Sequence, residues 1–333
     1  MLWRPSREIA VTRRPAGTSL LCLIAIALVA AAAVGSAAPD REDPFEAQLQ
    51  RSGSEELLGS WRRARALVRE ALEQTDEDPA RARQLFLDSI ALFDEIGAAK
   101  TSGEPHWRSA RSHWLLAENL PLDAKQERIA HFTRADERAA DGLAVDPRCA
   151  PCMLWRFTAM GRIRTTQSVL EGLSGVSEMA ELLDEGIALE PTHRDSPNNS
   201  TLGNLHYGSA IFYRVLPDWT WLGWVLGVRG DKERALGHAR QALALHPARL
   251  DYQLEVGSQL MCLGSSEREP PRIAEGARLL EALLDRTPHD LREQRQLAAA
   301  EIMLSAPEKS CGYTGDTWVE IDAREAAQVA ADR

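Results

Sequence analysis

Four segments of this chain close in the same way. "DERAADGLAVDP" stops at Pro147, "MAELLDEGIALEP" at Pro191, "ERALGHARQALALHP" at Pro247 and "EGARLLEALLDRTP" at Pro288. In each, small or apolar residues recur at three- and four-residue steps, which marks one face of a helix. The proline then ends the helix, because it cannot continue the hydrogen-bond ladder. Small residues such as Ala235, Ala239 and Ala242 let a neighbouring helix approach closely. A second apolar helix follows downstream of each stop. Gly257 in "LEVGSQLMCLG" comes ten residues after Pro247, and Ala298 in "QLAAAEIML" ten after Pro288. A fixed offset from helix stop to small packing residue is what stacked helical hairpins require. Alternating apolar runs rich in Val, Ile and Thr are absent, so little β structure is expected.

On these residues the chain resembles the tetratricopeptide-repeat (TPR) family. "GDKERALGHARQALALHP" matches that family's second helix, with Gly230-Asp231 at the turn, Ala235 and Ala242 at the small positions and Pro247 at the stop. The other copies are degenerate. Successive stops lie 44, 56 and 41 residues apart, longer than the usual repeat of about 34. The resemblance implies an all-α solenoid of stacked antiparallel helical hairpins, and a generic helical solenoid fits the same pattern. The expected pairs are 61–75 with 79–97, 107–119 with 124–145, 149–165 with 175–190, 199–215 with 231–246, and 249–264 with 272–287. A final helix at 290–304 acts as a cap. The repeat domain then spans 55–305, between a loose polar segment at 39–54 and a tail at 306–333 that is loose apart from Trp318.

Aromatic residues are 6% of the chain, yet Trp219, Trp221 and Trp224 crowd into "PDWTWLGWVLGVRG". Two registers are open. In one, residues 216–230 are an insertion between helix 199–215 and its partner 231–246. In the other, "WTWLG" begins the first helix itself, because Gly223 stands as far before Pro247 as Gly264 does before Pro288. We favour the insertion, which leaves no helix without a partner. Buried packing is the ordinary use of large aromatics, whereas an insertion exposes them, and such a patch usually meets something. Trp219, Trp221 and Trp224, with Tyr207 and Tyr213 on the preceding helix, are the candidate binding residues.

The first 38 residues read as a secretory signal. Arg4, Arg7, Arg13 and Arg14 precede an apolar run from Leu20 to Val34, and small residues Gly35 to Ala38 follow. An apolar run of about 15 residues is short for a membrane span of roughly 20, although an uncleaved anchor is the competing reading. Export to a periplasm or cell envelope is therefore expected. The chain carries 39 Lys and Arg against 49 Asp and Glu, and loss of the arginine-rich signal leaves it more acidic still. That charge repels phosphate backbones, so nucleic acid is not an expected partner.

Cys149 and Cys152 in "DPRCAPCMLW" follow a turn and open a helix, a setting that permits redox chemistry. The βαβ context of a thioredoxin-like enzyme is missing, and Met153 stands where haem attachment needs histidine. In an exported chain bridges are the default, and the four cysteines that follow the signal segment, which itself holds Cys22, allow three connectivities. We expect Cys149–Cys152 and Cys262–Cys311, because Cys262 ends one first helix and Cys311 lies just past the end of the next. Inert thiols and a redox or metal role are the alternatives. His206 and His238 are expected to approach across a hairpin. No phosphate loop, dinucleotide glycine motif, nucleophile elbow or zinc-protease motif occurs, and no cofactor or metal is expected. The run Asn198-Asn199-Ser200-Thr201 reads as a helix cap.

These features point to an exported, non-enzymatic interaction or adaptor protein. More narrowly, residues 100–305 resemble the T-component of TRAP-type solute transporters, on the "LGNLHYG" helix and the Pro-Trp-rich insertion before "GDKERA". That resemblance implies an oligomeric helper that binds a solute-receptor subunit and an apolar small ligand. The alternatives are a thiol–disulfide oxidoreductase using Cys149 and Cys152, and an architectural scaffold with buried tryptophans.

Overall fold

The computed structural model describes residues 43–99, 102–167, 175–315 and 318. The signal segment 1–38 and the tail beyond Trp318 lie outside the described residues. The chain divides into two units, residues 1–48 and 49–333. Helix α1, Pro44–Arg51, straddles the division and corrects the expectation of a loose segment there. Its signals are present in the sequence: Asp43 Oδ1 accepts from the N–H groups of Phe45 and Glu46, and Phe45 and Leu49 are buried one turn apart.

The second unit is built from hairpins. Helix α2 (Glu55–Gln74) pairs with α3 (Pro79–Ala99), α4 (Gly103–Asn119) with α5 (Lys125–Val145), and α6 (Ala150–Gln167) with α7 (Val176–Ala188). Next, α8 (Thr201–Val215) packs on α10 (Lys232–Leu245), with the short α9 (Thr220–Leu226) between them in sequence. Helices α11 (Leu250–Glu267) and α12 (Pro270–Leu284) form the last pair, and α13 (Leu291–Ser305) closes the stack. Each second helix also packs on the next first helix, and the first helices touch in succession from α4 through α6, α8 and α11 to α13. The first helices thus make one layer. This is an all-α solenoid of stacked antiparallel helical hairpins.

Capping and small residues explain where the helices start and how closely they cross. Ser102, Ser200, Asp231 and Asp290 each cap a helix by accepting a backbone N–H from the first turn. Glu293 reaches back from α13 to the His289 N–H at 2.8 Å, which satisfies another orphan donor. Where α11 meets α12, a methyl on Gly276 would sit 2.9 Å from the Gly257 carbonyl oxygen, so only glycine lets the two backbones approach this far. Between α7 and α8 the structure adds a two-stranded antiparallel ribbon, Arg194–Ser196 with Asn199–Ser200. It is too short and polar to show as apolar alternation. Ser200 also serves as the expected cap, accepting the Gly203 N–H at 3.1 Å. Among the described residues, no helix is long and apolar enough to cross a membrane.

Candidate interaction surfaces

Residues 216–230 leave the stack after α8 and return before α10. Their base is closed by backbone bonds, from Gly230 N–H to the Pro217 carbonyl at 2.8 Å and from Asp231 N–H to the Tyr213 carbonyl at 3.0 Å. A side chain at Gly230 would lie 1.9 Å from the Leu216 oxygen, so this closure requires glycine. Gly227, with φ at 71°, takes the left-handed conformation that ends α9. The Ser177 hydroxyl of α7 donates to the Leu226 carbonyl and fixes the far side of the excursion. On this frame Trp219 and Trp221 stack with ring centroids 5.7 Å apart. Trp224 is 84% exposed and Val225 69%. Trp219, Trp221 and Trp224, with Asp218 and Thr220, line a shallow depression. Packing accounts for Trp61 and Trp107, which are fully buried, but not for Trp224.

The two candidate tyrosines lie elsewhere. Tyr213 is 2% exposed and belongs to the core, with the Arg234 guanidinium 4.0 Å above its ring; burial pushes its hydroxyl up to about 12. It is therefore not part of the surface that the tryptophans make, because the inward face of α8 carries it. Tyr207 is half-buried and stacks on Tyr252 of α11 at 5.3 Å. His206 and His238 do meet across the hairpin, with Nδ1 atoms 2.9 Å apart. A second pair, His113 and His131, joins α4 and α5 at 3.1 Å. Burial first, then the partner histidine, lowers His238 to about 4 and His113 to about 3. Such pairs are neutral interhelical hydrogen bonds near pH 7.

The structure joins Cys149 to Cys152 and Cys262 to Cys311. The first bond sits where α4, α5 and α6 meet. A methyl on Gly103 would lie 2.8 Å from the Cys149 sulfur, and one on Gly142 2.7 Å from the Cys152 sulfur. At 6% and 0% exposure, neither sulfur is open to a substrate disulfide, so the geometry disfavours the oxidoreductase alternative. Among the described residues, no three or more His, Cys, Asp and Glu side chains gather as a metal site.

Sequence reasoning missed one buried assembly. Arg214 of α8 and Glu255 of α11 are fully buried and make a forked pair at 2.9 to 3.1 Å. Gln259, one turn after Glu255, donates to the same carboxylate and to the Ala210 carbonyl at 2.8 Å. Arg214 also donates to the Ser310 carbonyl at 2.5 Å and to the Cys311 carbonyl at 3.3 Å. These bonds and the Cys262–Cys311 bridge hold Pro307–Gly312 as a 3₁₀ helix, which corrects the expectation of a loose chain over that stretch alone. The available signal was a lone arginine in the apolar run "AIFYRV", with Glu255 and Gln259 one turn apart in "LEVGSQ". A second polar cluster caps the start of α11. Burial alone would raise the Asp251 carboxyl, but Arg249 beside it holds it below the usual range. Arg249 reaches on to Asn199 at 2.9 Å and Asn204 at 3.0 Å.

No family model matches the chain. No curated protein is similar to it. Among solved structures it is similar to a thermophilic TPR protein of Thermus thermophilus. The two are 15% identical over 72% of this chain and 99% of that one, with a TM-score of 0.44.

Proposed function

We propose that this protein is an exported, non-enzymatic interaction adaptor of the cell envelope, whose partner protein docks on the tryptophan-bearing excursion between α8 and α10. One observation carries the reading. Trp224 and Val225 stand exposed beside the stacked Trp219 and Trp221, on a loop whose base is closed and whose position is fixed. Leaving an indole and a branched aliphatic side chain in water forgoes roughly 1.5–3 kcal/mol for the aliphatic group alone, so a covering partner gains that burial. Aromatic side chains held in advance on a rigid element are typical binding anchors. Stacked hairpins supply the extended scaffold that such anchors need. Export rests on the order of charge, apolar run and small residues in 1–38, and two disulfides suit an oxidising compartment.

The narrower reading makes the partner the solute-receptor subunit of a transporter. It rests on the "LGNLHYG" helix and on an excursion placed just before "GDKERA". A second copy of the chain or an apolar small ligand is the alternative occupant of the patch. The test compares proteins crosslinked in the native host by the wild-type chain and by a Trp219→Ala, Trp221→Ala, Trp224→Ala variant, with thermal melting as the folding control. Loss of one partner from a folded variant is the expected result, and its identity decides the transporter reading. Capture of the same proteins by both chains would remove the patch from the proposal.

A further inference from the structure

The chemistry of the tryptophan excursion narrows what can dock on it. Its backbone is partly engaged already: the Gly230 N–H is bonded to the Pro217 carbonyl, and the Leu226 carbonyl accepts from Ser177. The depression is lined by Asp218, Trp219, Thr220, Trp221 and Trp224. Among the described residues, no acceptor meets the indole N–H of Trp219, Trp221 or Trp224, and none of these nitrogens is shut away from water. The lining side chains therefore offer three N–H donors against one carboxylate, on Asp218, and one hydroxyl, on Thr220.

An extended segment settling here brings main-chain carbonyls and N–H groups in equal number. Its carbonyls can accept from the indoles, but its N–H groups find few acceptors. Each N–H covered without a partner weakens binding about tenfold. Proline removes that difficulty, because it has no N–H. Proline-rich segments also hold the polyproline II conformation before they bind, so little ordering entropy is lost. The flat indoles suit a pyrrolidine ring: Trp219 and Trp221 lie within 18° of parallel and form a two-ring platform in the same depression as Trp224. A docked helix matches this surface less well. Its carbonyls are bonded within the helix, so the three indole donors would be covered without acceptors. Asp218 is the one charged group among the lining residues. Its side chain is 66% exposed and 3.5 Å from Lys232 Nζ, so the rim attracts a cation.

We propose that the excursion receives an extended, proline-rich segment of its partner that carries a basic residue beside Asp218. Proline rings lie on the indoles of Trp219, Trp221 and Trp224, and the segment's carbonyls accept from their N–H groups. The cation pairs with Asp218 in competition with Lys232. The lining comes wholly from residues 218–224, so the hairpin helices contribute the frame and not the contact surface. This assignment rests on the reading that a protein docks on the excursion, and it specifies which kind of segment does so.

The test titrates the mature chain into fluorescent synthetic peptides and reads anisotropy. One peptide is polyproline with a central arginine, the second replaces every proline by alanine, and the third replaces the arginine by glutamate. The first should bind at least about tenfold tighter than the alanine peptide, because alanine restores the stranded N–H groups. It should bind about threefold tighter than the glutamate peptide, as an exposed charge pair allows. Trp224→Ala should weaken the first peptide about tenfold. Asp218→Asn should remove the preference for arginine over glutamate and keep the preference for proline over alanine. Equal or tighter binding of the alanine peptide, no binding of any peptide, or unchanged affinity in Trp224→Ala would each overturn the assignment. The comparison of peptides needs no protein variant, so it decides even if Trp224→Ala does not fold. A discrete protein crosslinked from position 224 alongside any of those failures leaves the docking in place and removes only this choice of segment.

Discussion

Gly276 and Gly237 show how one residue type does opposite things in this fold. Gly276 sits where α12 crosses α11, and a methyl there meets backbone at 2.9 Å. Gly276→Ala should lower stability by about 1–3 kcal/mol, read from the urea midpoint. Gly237 lies on the exposed side of α10 with nothing within 4 Å, so Gly237→Ala should raise it by about 0.5–1 kcal/mol. The sequence pattern marked Gly257, the partner of Gly276, through its fixed distance from Pro247. It could not distinguish packed glycines from free ones, because that difference lies in the neighbouring helix. The buried charges behave similarly. Arg214 without Glu255 is an uncompensated buried cation, so Glu255→Leu should cost about 3–5 kcal/mol, while the double variant Arg214→Met, Glu255→Leu should cost much less. His113 is held near 3 in the fold and near its usual 6.5 when unfolded, so the unfolded chain binds more protons between those values. Stability should therefore be complete above pH 6.5 and fall as the pH drops toward 3. The loss should be smaller in His113→Leu when melting temperatures are compared across that range.

At the scale of elements, prolines and caps made the main helices legible to within a few residues at most ends. Pro147, Pro247 and Pro288 each stand a few residues beyond the end of a second helix. What escaped were the short elements. Helix α1 and the 3₁₀ segment are each shorter than the window over which helical periodicity can be recognised, and the latter is ordered by Arg214 and Cys262, far away in sequence. Tyr213 was misjudged for a related reason: its place on α8 was legible, but the side facing the core depended on the packing of α10. The excursion itself is an element whose integrity rests on Gly230. Gly230→Ala forces apart the Leu216 and Gly230 backbones and should destroy partner capture, while the far-UV circular dichroism of the hairpins is kept. Trp224→Ala, by contrast, should change stability by no more than about 0.5 kcal/mol, because the indole is already in water.

Across the whole molecule, the first helices form a continuous layer from α4 to α13. Its last three members are covered by the chain's own segment, and the tryptophans project from the excursion between α8 and α10. The central claim is that the excursion touches a protein partner, and a photoreactive amino acid placed at position 224 in the native host tests it most directly. The same group at Leu72, a partly exposed residue of α2, is the control. The account predicts one discrete crosslinked protein from position 224 and none of it from position 72. Identical adducts from both positions, or none from position 224, would contradict it.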